Sequence, residues 1–144
     1  MKLEDIQRLW EIDSNIDKSE LGEESLKISQ LHSKYFKFYS QERLALKKLE
    51  QDYKILYRKK FEYYNGTMSY EDLKENGWEP NPLKILKTET PIYITSDKDI
   101  VDLQLRIDYQ SEKLNFLENI IKSVNNRGFN IKSAIDWIKF QNGI

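Results

Sequence analysis

An all-α fold of long amphipathic helices with coiled-coil-like packing is the class this chain predicts, and three observations carry it. From Ile100 to Val124 the residues hold strict heptad spacing for nearly four heptads, with one polar interruption. Residues 17–64 contain no proline and a single glycine, Gly22. Charged residues make up 33% of the sequence against 39% hydrophobic, a balance that suits exposed helix faces better than a thick core. At 144 residues the chain is one domain, or one domain with appendages, able to bury a core but not a large one.

At the start, Leu3, Ile6, Leu9 and Trp10 share one helix face, so "LEDIQRLWEID" predicts a short helix ending near Asn15. Asp17 restarts the pattern as an N-cap, with Glu20 three residues on completing a capping box. Along Ile28, Leu31, Tyr35, Phe38, Glu42, Ala45, Leu49, Asp52, Leu56, Lys59 and Tyr63 the spacing alternates three and four. Two of these positions are acidic and one is lysine. The seam is imperfect, yet it predicts a helix of about 40 residues that its short neighbours alone cannot cover.

"NGTMS" ends that helix, because Asn-Gly is a strong turn signal. Residues 65–96 hold all three prolines. Within them "SYEDLKENG" predicts a turn or two of helix and "PIYIT" a short extended segment, the remainder being irregular. A connection of that length is usually functional or partly disordered.

The second long helix opens at Ser96, a good N-cap, with Asp97, Asp99 and Asp102 near the positive end of its dipole. Its seam runs through Ile100, Leu103, Ile107, Gln110, Leu114, Leu117, Ile121 and Val124, and only Gln110 is polar. Gly128 is placed to end it in a left-handed conformation. A final amphipathic helix carries Ile131, Ala134, Ile135 and Ile138 on one face, with Trp137 at its edge. Pairing the two long helices within one chain helps to cover the seams, but the last helix still presents its isoleucines outward. Homo-oligomerisation follows, with Leu114, Leu117, Ile121, Val124, Ile131, Ile135 and Ile138 as candidate assembly residues. The chain thus divides into residues 1–64, with the short helix and a long basic one, the 65–96 connection, and the 97–144 assembly part.

Charge is unevenly spread. Residues 1–25 carry 3 basic and 8 acidic side chains; residues 26–60 carry 10 and 3; residues 61–125 carry 7 and 12; residues 126–144 carry 3 and 1. A net charge of −1 therefore hides a helix of balance +7 between two acidic segments of −5 each. Such segregation creates a local field for polyanions that the overall charge does not suggest.

Several chemistries are missing. There is no cysteine, hence no disulfide framework and no thiolate metal site. His32 is the single histidine, beside Leu31 and Tyr35, with no second His or Cys to build a catalytic or metal centre. The five glycines are isolated, so no phosphate-cradling loop exists. The carboxylates of "GEE" and "SDKD" read as solvated surface and helix capping. No catalytic residue, metal or cofactor is expected, and an enzyme is not. With no apolar run of membrane-spanning length and an acidic start unlike a signal peptide, a soluble intracellular protein is the expectation.

The stretch Tyr53–Gly66, "YKILYRKKFEYYNG", packs four cations and five aromatic rings into fourteen residues. The seam takes Tyr53, Leu56, Lys59 or Lys60, and Tyr63 or Tyr64. Lys54, Arg58 and Phe61 share one face, with Tyr57, Lys60 and Tyr64 in the adjacent row. Cations beside flat rings offer phosphate contacts and stacking surfaces for single-stranded nucleic acid, worth roughly 1–3 kcal/mol per stacked base. A plain solvated basic face fits the same spacing. Lys27, Lys34, Lys37, Arg43, Lys47 and Lys48 extend the charge upstream.

Together "KLEDIQ", "IDSNIDKSEL", "YRKKFEYYNG", "SDKDI" and the closing "NNRGFNIKSAIDWIKFQNG" resemble the UvsY family, recombination mediators of T-even-like bacteriophages. The resemblance covers most of the chain and is weakest from Thr67 to Thr95. It implies a non-enzymatic protein encoded by a phage and working in the host cytoplasm, assembled as a homo-oligomeric ring of about six or seven subunits. It further implies binding of single-stranded DNA, loosening of the phage single-strand-binding protein, and loading of a RecA-like recombinase of the UvsX type. The family's DNA-binding motif, Leu-Lys-Ala-Arg before a Tyr-Tyr-x-Gly, falls on Tyr57, Arg58, Lys59 and Lys60. The cationic positions are kept as Arg58 and Lys60 with charge types exchanged, which alters hydrogen-bond geometry but keeps phosphate attraction. The expected DNA-binding set is Arg58, Lys60 and Lys59, with Lys54 in support and Tyr57 stacking on a base. The competing expectation is a coiled-coil adaptor whose basic helix meets an acidic protein.

Overall fold

The computed structural model describes residues 1–81 and 83–144. Among these every regular element is helical: α1 (Leu3–Asp13), α2 (Leu21–Leu26), α3 (Ile28–Tyr64), α4 (Tyr70–Asn76), α5 (Thr90–Thr95) and α6 (Lys98–Gln141). They gather into two compact units, one of Met1–Leu44 with Ser111–Ile144 and one of Ala45–Gln110. No helix among the described residues is long and apolar enough to cross a membrane.

The first unit is built on the heptad face of α6. Ile6, Tyr35, Leu117, Ile120 and Val124 form its buried centre, with Trp10, Ile28, Leu31, Phe38, Tyr39, Phe116 and Ile121 packed around it. In this unit α3 and α6 run antiparallel. Tyr39 donates to Glu118 at 3.0 Å, and three residues later in α3 Glu42 pairs with Lys113, five residues earlier in α6. Tyr35 lies edge-on to Trp10 and Phe38 while its hydroxyl donates to Asp13 at 2.7 Å. One aromatic residue thus ties α1 to α3 by both packing and a hydrogen bond.

Arg127 closes the unit. Its buried guanidinium donates to the carbonyls of Asp13 (3.0 Å) and Asn15 (2.8 Å) and pairs with Glu24 at 3.1 Å. The Asp13 carbonyl is one that a helix C-terminus leaves without an intrahelical donor, and the Asn15 carbonyl lies just beyond it. A cation there also meets the negative end of the α1 dipole.

In four places the structure departs from the local start and stop signals. Gly128 does not end a helix: α6 runs through it without a left-handed residue. Val124 and Ile131 bury on either side and Arg127 is anchored next to it, which outweighs glycine's cost of about 1 kcal/mol in a helix. "PIYIT" lies in α5, because Pro91 sits in the first turn and Thr90 and Ile94, four residues apart, both bury. Asp17 does not cap α2; it accepts from the backbone and hydroxyl of Ser19 and makes its own turn. Ser96 donates its hydroxyl back to Ile92, and the capping acceptor of α6 is Asp97, which receives the N–H groups of Asp99 (2.9 Å) and Ile100.

The seam of α6 is largely where periodicity puts it, while two expected seam positions of α3, Ala45 and Lys59, are exposed. Ile100, Leu103, Gln110, Leu114, Leu117 and Val124 are all buried. The end of the long basic helix is also as expected, α3 stopping at Tyr64, but its 37 residues start only at Ile28, after the separate α2. Gly66 follows with φ 72°, and Gly77 closes α4 with φ 70°, conformations that a side chain resists. Ser69 caps α4 by accepting from Asp72.

Candidate nucleic-acid interface

The second unit contains the whole of "YKILYRKKFEYYNG", and its packing sorts those fourteen residues into two populations. Helical spacing allowed either Lys59 or Lys60 onto the seam; the fold takes Lys60. Its side chain is 6% exposed, and its ammonium lies 2.9 Å from Asp99 and 3.2 Å from Asp97. The Trp78 ring covers it with the centroid 3.9 Å away, and Tyr63 stands at 5.7 Å. Trp78 is held by the turn after α4, where its N–H bonds the Leu73 carbonyl at 2.9 Å. Only the apolar residue after a helix-ending glycine hints at this in sequence.

Tyr64 completes the cluster by donating to Asp97 at 2.7 Å. Burial alone would raise the Asp97 pKa, but the hydrogen bonds from Tyr64 and Lys60 outweigh it and hold the carboxyl below its ordinary value. The Tyr64 phenol is pushed well up, by burial first and then by its bond to Asp97. Asp97 therefore caps α6, neutralises Lys60 and anchors the end of α3 at once. Lys60 has no face left for a phosphate.

The other cations point away from this cluster. Lys54 and Lys59 are exposed, and the Arg58 side chain is 81% exposed and pairs with Glu62 at 3.4 Å. Lys47, Gln51, Lys54 and Arg58 follow one another at steps of four, three and four, and all are exposed. At about 1.5 Å per residue they form a track about 16 Å long on one face of α3. Lys48, Asp52, Ile55 and Lys59 repeat the same steps alongside, with Asp52 pairing Lys48 at 3.6 Å. Lys54, Ile55, Arg58 and Lys59 line a shallow hollow between the two rows.

The rings divide similarly. Tyr53 and Tyr57 lie against each other with centroids 6.1 Å apart, and Tyr57 is half-buried. Tyr63 packs on Tyr64 and Trp78, and Tyr64 on Tyr93. Phe61 stays exposed and meets no other ring among the described residues. Sequence spacing singled out Tyr57 for stacking and gave no weight to Ile55.

The candidate assembly residues separate as well. Leu114, Leu117, Val124 and Ile131 are buried within the chain's own first unit, Ile121 packs on its core, and Ile135 is half-buried. Ile138 is exposed, as are Phe129, Trp137 and Phe140, the last two with rings stacked at 5.6 Å.

Known proteins share this helical fold. Residues 9–144 match the family model described as "Recombination, repair and ssDNA binding protein UvsY". The recombination protein uvsY of Enterobacteria phage T4 is 25% identical over 143 residues, 99% of either chain. A crystal structure of the bacteriophage T4 recombination mediator protein UvsY superposes with a TM-score of 0.86 at 25% identity, over 99% of this chain and 98% of that one. A second lattice type of the same protein gives 0.86 at 24% identity, over 97% and 99%. The chain belongs to the UvsY family, phage proteins of recombination, repair and single-stranded DNA binding.

Proposed function

We propose that this protein is a recombination mediator that holds single-stranded DNA along the outer face of α3. Lys54, Arg58 and Lys59 are its phosphate contacts, with Lys47 and Lys48 extending the track. The observation that carries this reading is the split within "YRKK". Arg58 and Lys59 are exposed on a common side with Lys54, while Lys60 is consumed by Asp97 and Asp99. A cation engaged in that way positions the helix end rather than the nucleic acid.

In this reading copies of the chain assemble as a ring, so that the tracks recur around an axis. Many weak contacts then sum to avid binding. The exposed Phe129, Trp137, Ile138 and Phe140 are the side chains best suited to reach another subunit, since each is a large apolar group left exposed near the end of α6. Held on this scaffold, the DNA is presented in a form that loosens the phage single-strand-binding protein and favours loading of a RecA-like recombinase.

The test is a recombinase assay on oligonucleotide coated with single-strand-binding protein, reading DNA-dependent ATP hydrolysis. Adding this protein should shorten the lag before hydrolysis. An unchanged lag, together with no oligonucleotide binding at low salt, would favour the alternative, an adaptor whose basic helix meets an acidic protein.

A further inference from the structure

We infer that Phe61 and Ile55, not Tyr57, form the surface on which nucleobases rest, deepening the single-stranded DNA reading on which the inference depends. Each stands three residues from Arg58, one on either side along α3. Helix geometry places residues three apart as neighbours on the surface. Phe61 is 42% exposed and Ile55 58% exposed, although both are large and apolar and the other rings of the stretch have found partners. Tyr57 is already engaged with Tyr53 and half-buried, so it offers a base less open ring surface than Phe61.

The hollow beside Arg58 is lined by Ile55 together with Lys54, Arg58 and Lys59, whose long side chains can lay apolar stems along it and keep their charged heads in water. An apolar lining beside cations matches a nucleotide: base edge or face inward, phosphate toward the charged heads. Phe61, one turn further along, offers a flat face for the neighbouring base. Such contacts tolerate every base, because each has a π-face. The surface therefore favours bases as a class over a bare phosphate chain, without reading sequence.

Two substitutions and two oligonucleotides test this. Phe61→Ala removes the apolar surface, and Phe61→Leu keeps bulk and helix propensity but not the flat ring. Both are compared with the unsubstituted protein by anisotropy, on labelled oligo(dT) and on an abasic oligonucleotide of equal length. Phe61→Ala should weaken oligo(dT) binding roughly tenfold and Phe61→Leu nearly as much. Abasic binding should stay within about twofold, and the salt slope should not change, since no phosphate contact is lost.

Full oligo(dT) affinity in Phe61→Leu, or equal losses on the two oligonucleotides, would overturn the assignment. A change in assembly mass of Phe61→Ala by light scattering would also overturn it, making Phe61 a subunit contact. If Arg58→Ala weakens binding while Phe61→Ala does not, only this inference fails. If the unsubstituted protein binds neither oligonucleotide, the DNA reading itself fails and this inference with it.

Discussion

Lys60 and Asp97 meet at 3.2 Å with both side chains at least nine-tenths buried, joining the end of α3 to the capping residue of α6. Each charge is out of water only because the other is there. Asp99 adds a second carboxylate at 2.9 Å and Trp78 a ring face at 3.9 Å. Removing one partner of such a pair leaves the other buried and unmatched, which costs about 3–5 kcal/mol. Lys60→Ala should therefore lower unfolding stability by about that much, measured by urea denaturation. Arg58→Ala, at an exposed site, should stay within about 0.5 kcal/mol of the parent. Equal, small effects from both would show Lys60 to be a surface charge.

Acid should loosen both units by the same route. Asp13 is held below the ordinary 3.8: burial would raise it, but hydrogen bonds from Lys34 and Tyr35 outweigh that. Asp97 is depressed likewise, and Glu24 is lowered from 4.5, first by its hydrogen bond from Arg127. A carboxyl depressed in the folded state contributes stability that is present above its unfolded pKa and lost as pH falls through the folded one. Melting temperature should accordingly hold near neutrality and fall as pH drops below about 4. Asp97→Asn should flatten that acid limb. A mutant limb as steep as the parent's would remove Asp97 from the account.

Glu62 competes with phosphate for Arg58 across the 3.4 Å contact on the surface of α3. Exposed pairs of this kind are weak, worth about 0.3–0.5 kcal/mol. Glu62→Gln releases Arg58 and removes a negative charge beside the track. Oligonucleotide affinity should rise about two- to fivefold at low salt, with the gain shrinking as salt screens it. A loss of affinity would place Glu62 in a supporting role instead.

Assembly should depend on the exposed end of α6. Substituting Trp137 and Phe140 by Glu puts two charges on side chains that the chain's own fold leaves exposed. Sedimentation should then show smaller species with helical content retained. Truncation at residue 129 is a poorer probe, because it also removes Ile131 from the first unit's core. Unchanged mass in the double substitution would rule this surface out.

Periodicity made the long helices legible. Heptad spacing from Ile100 to Val124 marked the face that α6 buries, and Asn65-Gly66 marked the end of α3. What it could not decide was set by distant partners. Helical spacing allows either Lys59 or Lys60 on the seam; Asp97, Asp99 and Trp78, far away in sequence, draw Lys60 inward. Gly128 carries a stop signal, overridden by the burial of Val124 and Ile131 and the anchorage of Arg127. Spacing points to Tyr57 for stacking, but the fold sets Tyr57 against Tyr53 and leaves Phe61 exposed. Local signals yield where tertiary contacts are worth more than propensities of about 1 kcal/mol.

The central claim is that single-stranded DNA is held by the exposed cations of α3. Its most direct test is the salt dependence of oligonucleotide binding in a protein with Lys54, Arg58 and Lys59 all replaced by Ala. Each phosphate contact on a single strand contributes about 0.7 to the slope of log affinity against log salt. The triple substitution should weaken binding and make that slope shallower by about 2, with stability unchanged. A slope and affinity equal to the parent's would contradict the claim and place the DNA elsewhere on the protein.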